Sequence, residues 1–312
     1  MLKFNGPGEK ALPAHEEAPL SSWRLSAASI ACAVSLAACA GGAAKGAVSP
    51  EYAETAFERG AHSLTSDLEF SISGGQVDGQ KRYETVVQVW GARGHCSGVF
   101  IKPQLVLTAA HCVCAPEDPK LQRRVIDGAD CVKSVTIRRS LHGSEGPSGV
   151  KPYESKGQVQ VHPAFRAELE NGRLKLNVAD LAVVRLNEPV SGLKIDFRFP
   201  EQEVSIDELL TLVGFGETRY NGKDGGMRRV GHNSVTDIVL SAGGPGSFLF
   251  RAPGAHTHAG DSGGPCFRET PAGRWLVGIN SGHANSGTAS WFTSTFHYRA
   301  WIAEQLRKGA TD

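Results

Sequence analysis

Asp180 stands inside an apolar run, Val178-Ala179-Asp180-Leu181-Ala182-Val183-Val184. Such a run reads as a buried strand, and an unpaired carboxylate buried there would be costly. The fold must therefore bring a hydrogen-bonding partner to Asp180. Two distant segments offer one. His111 lies in Leu107-Thr108-Ala109-Ala110-His111-Cys112, and Ser262 lies in Ala259-Gly260-Asp261-Ser262-Gly263-Gly264-Pro265. The glycines around Ser262 permit a tight turn that larger residues resist. A serine hydroxyl is a poor nucleophile near neutrality. It needs a histidine to take its proton and a carboxylate to fix that histidine's tautomer.

Composition narrows the fold class. Apolar residues make up 40% of the 312, enough for a substantial core, and a net charge of +1 shows no bias toward nucleic acid or an anionic membrane. Glycine is abundant and helical periodicity sparse. Stretches such as Thr85-Val86-Val87-Gln88-Val89-Trp90 and Ser134-Val135-Thr136-Ile137 alternate between turn residues as strands do. The class is all-β. One exception is the stripe Tyr298, Trp301, Ile302, Gln305/Leu306, whose spacing predicts an amphipathic helix near the C-terminus.

Taken together, the three segments, in the order His, Asp, Ser, resemble the trypsin/chymotrypsin family of serine endopeptidases. The resemblance runs from Ile72-Ser73-Gly74-Gly75, similar to that family's mature start, to about Leu306. Val213-Gly214-Phe215-Gly216 resembles the opening of its second barrel, and Leu276-Val277-Gly278-Ile279-Asn280-Ser281 its cleft strand. It implies two six-stranded antiparallel Greek-key β-barrels with a C-terminal helix. His111 would be the general base, Asp180 its orienting carboxylate and Ser262 the nucleophile. The amides of Gly260 and Ser262 would form the oxyanion hole. Asp261 would pair with an α-amine freed at Ile72. The preceding Leu68-Glu69-Phe70-Ser71 holds no Lys or Arg, so a trypsin-like activator is not indicated.

The resemblance also places the primary pocket. Its base would be His256, six residues before Ser262, where an aspartate would select basic side chains. Without that carboxylate an Arg or Lys would enter unpaired. With Thr257 and Ser290 offering donors, a polar side chain such as Glu or Gln is one reading. Histidines bonded to one another around a small or apolar side chain is the other. Ser281-Gly282-His283 would pair with the substrate backbone. Gly282 stands where the family usually carries Trp, which predicts an open neighbouring subsite. His258 replaces one member of the cysteine pair that usually braces the pocket.

The family pairing implies a disulfide between Cys96 and Cys112; Cys114–Cys131 is a second candidate, leaving Cys266 as a small buried side chain. No cofactor and no metal site is expected. The competing reading, a metal held by His256, His258 and the His111/Cys112/Cys114 cluster, lacks a second spaced ligand pair.

Residues 1–39 read as a signal peptide. Arg24 precedes the short apolar segment Leu25–Ala38, and Leu36-Ala37-Ala38-Cys39 resembles a bacterial lipobox that would lipidate Cys39. The alternative is an ordinary signal peptide with an incidental cysteine. A misassigned start codon would account for Glu9, Glu16 and Glu17 in the leader. Residues 40–71 form a linker or pro-segment and 72–306 the catalytic unit, with no repeat or second module. The expected protein is exported, monomeric, touches a membrane only through a lipid anchor, and acts on a peptide or protein substrate.

Overall fold

A computed structural model describes residues 47–48 and 72–308, apart from 73, 92–93, 115–122, 140–152, 171–172, 219–224, 242–243, 252 and 285–286. The leader, Cys39 and Ser71 lie outside the described residues. Strands dominate. Two short pieces, β1 (Ala47–Val48) and β2 (Gln76–Val77), precede β3 (Val86–Gly91), β4 (Gly94–Lys102), β5 (Leu105–Thr108), β6 (Arg123–Asp127), β7 (Ser134–Arg139), β8 (Tyr153–Val161), β9 (Arg166–Glu170), β10 (Arg173–Val178) and β11 (Ala182–Leu186). Six of these close into a barrel in the order β11-β5-β4-β3-β7-β8, while β10, β9 and β6 form a small separate sheet. Leu105, Val106, Leu107, Val86, Val99 and Ile137 fill the barrel with no measurable exposure. Burial of such side chains, worth about 1.5–3 kcal/mol each, drives closure.

The second half comprises β12 (Leu209–Gly214), β13 (Arg229–Ser234), β14 (Asp237–Ser241), β15 (Gly244–Arg251), β16 (Pro265–Thr270), β17 (Gly273–His283) and β18 (Ala289–Ser294). Its ladder is one nine-stranded sheet, β1-β14-β15-β18-β17-β16-β12-β13-β2. The six strands from β15 to β13 correspond to the second barrel that the resemblance implies. The chain after β15 returns to β13 through Ala255 N, which donates to His232 O at 3.0 Å. β14 is an additional strand, zipped to β15 from Asp237 to Ser241. Phe248, Phe250 and Phe292 form the aromatic centre of this half, with ring centroids 5.3–5.7 Å apart.

Helix α1 (Arg299–Arg307) follows and buries Trp301, Ile302 and Gln305, the stripe expected from its spacing. It docks on the first barrel: Arg185 donates to Gln305 O at 3.2 Å and Lys102 caps Leu306 O. Cations at the last carbonyls offset the helix dipole. Between the halves, Arg228 Nε lies 2.8 Å from Asp78 Oδ2, both side chains almost fully buried. Asp78 also accepts from Arg82 N and Tyr83 N. This pair ties the segment following Ile72 to the strands beyond.

Candidate active site

Asp180 follows β10 at a strained bend: Ala179 has φ +49°, unfavourable for a residue with a Cβ, and its amide donates to Tyr298 Oη at 3.1 Å. The bend turns a 1%-exposed carboxylate inward. Oδ1 accepts from His111 N at 2.8 Å, and Oδ2 meets His111 Nδ1 at 2.7 Å, Ser281 Oγ at 2.6 Å and Asn177 Nδ2 at 2.9 Å. Asn177 Nδ2 also donates to Ser281 Oγ at 2.8 Å, closing a small ring of bonds. Burial pushes the Asp180 carboxyl up, but the adjacent His111 and these bonds outweigh it and hold the group below the usual carboxylate range. An ionised carboxylate only accepts, so His111 Nδ1 carries the hydrogen and Nε2 is left as a base. His111 itself sits in a short 3₁₀ turn, Ala110–Cys112, next to the Cys96–Cys112 disulfide.

Ser262 lies in the turn between His256 and β16. Gly260 (φ +94°) and Gly263 (φ +79°) take conformations that side chains resist. The turn is bolted to β4: Ser97 N donates to Ser262 O at 2.7 Å and Ser97 Oγ to Gly260 O at 2.8 Å. Cys112 Sγ lies 3.5 Å from Ser262 O and 3.9 Å from His111 Nε2, so the serine backbone and the imidazole share one neighbour. Among the described residues no hydrogen bond joins Ser262 Oγ to His111, and none takes the amides of Gly260 and Ser262 as donors. Those two N–H groups are available to a ligand.

Asp261 is held by backbone amides. It is 1% exposed and accepts from Gly216 N at 2.7 Å and His258 N at 2.9 Å. Burial pushes its carboxyl up to about 7; the two amides and Arg229 offset only part of that. Ile72 is also buried, with φ +21°. Its side chain is seated near Ala255: a Cβ placed on Gly231 would lie 2.8 Å from Ile72 Cγ2 and 2.4 Å from Ala255 Cβ. In the uncut chain the Ile72 nitrogen is a peptide nitrogen and offers Asp261 no charge.

His256, Thr257 and Ser290, which the resemblance sets at the primary pocket, form a buried polar cluster. Thr257 N donates to Ser290 Oγ at 2.9 Å, and His256 Nδ1 lies 3.4 Å from the same oxygen. Burial, reinforced by His258, pulls His256 down to about 4, so it is neutral near pH 7. Burial pulls His283 down to about 4 as well, assisted by His258 and His111; its ring lies 5.5 Å from that of His258. Ser281, expected in the strand that pairs with the substrate backbone, turns its side chain to Asp180. Gly282 does not leave open space, because a Cβ there would sit 2.5 Å from the Trp291 indole, which reaches across from β18. The sequence reading missed Asn177 and Asn280. Asn280 interrupts an apolar strand much as Asp180 does, and that signal could have singled it out.

Cys96–Cys112 and Cys114–Cys131 are bonded, and Cys266 is free and buried. Cys96, His111 and Cys112 converge as a metal site would, but two sulfurs bonded to each other offer no thiolate.

The sequence model of the Trypsin family matches residues 72–302. A trypsin-like protease of Streptomyces glaucescens is 27% identical over 75% of this chain and 81% of its own length. Phenoloxidase-activating factor 3 of Holotrichia diomphalia is 27% identical over 68% of this chain, which spans 64% of that protein. Trypsin of Simulium vittatum is 25% identical over 60% and 71%. Among solved structures, a mutant of human heparin binding protein (CAP37) superposes with a TM-score of 0.56 at 16% identity, over 75% of this chain and 96% of its own, a likeness of fold alone. With the match spanning both halves of the fold, the chain belongs to the trypsin family of serine proteases.

Proposed function

We propose that the protein is an exported serine endopeptidase that cuts peptide or protein substrates through an acyl-enzyme on Ser262. The observation that carries this reading is the carboxylate of Asp180, buried and ionised, holding His111 by both its backbone and its ring. His111 Nε2 takes the Ser262 proton as Oγ attacks the scissile carbonyl. The Gly260 and Ser262 amides receive the oxyanion. His111 then protonates the leaving amine, and water enters by the same route in reverse. The neutral pocket base at His256 supports a preference away from Arg and Lys. The leader supports export, with Cys39 as the lipidated residue, and the protein acts as a monomer.

A second reading has its own observation: Asp261 is buried and, among the described residues, faces two amides and Arg229 but no ammonium. On this reading the uncut chain is a latent zymogen, and cleavage after Ser71 supplies the amine of Ile72. One experiment addresses both. A fluorophosphonate probe is applied to uncut protein, to protein cut after Ser71, and to Ser262→Ala. Labelling of the cut form alone, lost in Ser262→Ala, is the expected result. Labelling that survives Ser262→Ala, or none in either form, would defeat the enzymatic reading.

A further inference from the structure

Two residues that the resemblance sets at the primary pocket or beside it, Asn280 and Ser290, carry hydrogen-bond donors with no acceptor among the described residues. Asn280 is 1% exposed. Its side-chain oxygen accepts from Gly282 N at 3.1 Å and from Thr257 Oγ1 at 3.4 Å. A backbone N–H can only donate, so the Gly282 contact fixes which end of the amide is oxygen. Nδ2 faces the other way, buried and without an acceptor among the described residues. Both of its hydrogens are unused.

Ser290 is in a similar state. Asn233 Nδ2 donates to Ala255 O at 2.9 Å, and Asn233 Oδ1 accepts from Ser234 N at 2.8 Å, which fixes that amide too. Asn233 Nδ2 therefore faces His256 Nε2, 3.5 Å away, as a donor. A neutral imidazole with Nε2 accepting carries its hydrogen on Nδ1, aimed at Ser290 Oγ. Ser290 Oγ thus accepts from Thr257 N and from His256, and its own hydrogen meets no acceptor among the described residues. Leaving such groups unpaired out of water is costly, and a site built this way takes the ligand that satisfies it.

We propose that Asn280 and Ser290, backed by His256, recognise an acidic side chain, glutamate or aspartate, on the acyl side of the scissile bond. A carboxylate brings acceptors only, matching the Asn280 N–H pair and the Ser290 O–H. A glutamine can meet these donors with its single amide oxygen only, and its two N–H groups add donors where donors are already in surplus. An arginine or lysine brings donors and an unpaired charge. An apolar side chain leaves the donors orphaned. This inference rests on the peptidase reading and deepens it.

The test uses the full chain with Leu68→Asp, Glu69→Asp, Phe70→Asp and Ser71→Lys, which permits a defined cut by enteropeptidase before Ile72. Peptides identical except for Glu, Asp, Gln, Ala or Arg at the cleaved position are compared by kcat/KM. Glutamate should exceed glutamine by roughly tenfold or more, and arginine by a larger factor. Asn280→Leu, similar in volume but without donors, should bring the Glu:Gln ratio to about one. Ser290→Ala should lower it partway and carries the test alone if Asn280→Leu does not fold. Glutamine cut as well as glutamate, or a ratio untouched by both substitutions, overturns the proposal while fluorophosphonate labelling of Ser262 leaves the peptidase reading standing. Absence of labelling in the cut parent overturns both.

Discussion

Raising the pH should destabilise the uncut chain through Asp261. Its carboxyl sits at about 7 when folded, against an ordinary 3.8. At 1.36 kcal/mol for each tenfold change in acidity, ionising it inside the protein costs about 4 kcal/mol in full. The sign follows from proton counting: between the two values the folded chain holds a proton that the unfolded chain has released, so stability falls as pH rises. Between about pH 5 and about pH 8 the loss comes to roughly 3 kcal/mol, or some 5–10 °C in Tm for a domain of this size. His256 and His283, pulled down to about 4, work in the opposite sense and stabilise the fold as pH climbs from their folded values toward 6.5. A raw melting profile would mix these effects. The quantity to measure is the Tm difference between the parent and Asp261→Asn across the pH series at constant salt. An asparagine cannot ionise, so any fixed cost of its amide shifts the difference without tilting it. In the uncut chain the parent should lose ground to Asp261→Asn with rising pH. After cleavage before Ile72 the tilt should vanish or reverse, because an ammonium then faces the carboxylate. A flat difference in the uncut chain, or an identical tilt before and after cleavage, would refute both the placement of Asp261 and its link to latency.

Three further outcomes are expected. Asp180→Asn should lower kcat about 10⁴-fold, since it supports the wrong tautomer of His111, while Asn177→Leu and Ser281→Ala, each removing one of several bonds to Asp180, should cost roughly 1 kcal/mol in kcat/KM. Asp78→Ala should cost about 3–5 kcal/mol of stability by leaving Arg228 charged and buried, measured by urea unfolding. Replacing Cys96 and Cys112 together by Ala removes a cross-link between positions 16 apart; the loss should be about 3 kcal/mol, with a correspondingly lower urea midpoint.

Strand content, the C-terminal helix stripe and the segments holding His111, Asp180 and Ser262 were all legible in the sequence, because each is written in neighbouring residues. What escaped depends on partners across strands. Gly282 announces a missing side chain, yet only the pairing of β17 with β18 shows that Trp291 fills the gap. Ser281 alternates along a strand whose ends face different neighbours, and spacing alone does not say that its hydroxyl goes to Asp180. Asn177 and Asn280 acquire roles only once the donors around them fix the orientation of each amide. Strand β14 pairs outside the six strands of the implied second barrel, and nothing local marks it as an edge addition.

Ala179 holds its strained backbone against the hydroxyl of Tyr298, the residue that opens the last helix. The bend that aims the orienting carboxylate is thus completed by a group 119 residues further along the chain. A chain stopped short of residue 298 could assemble the first barrel and still lack the contact that secures Asp180.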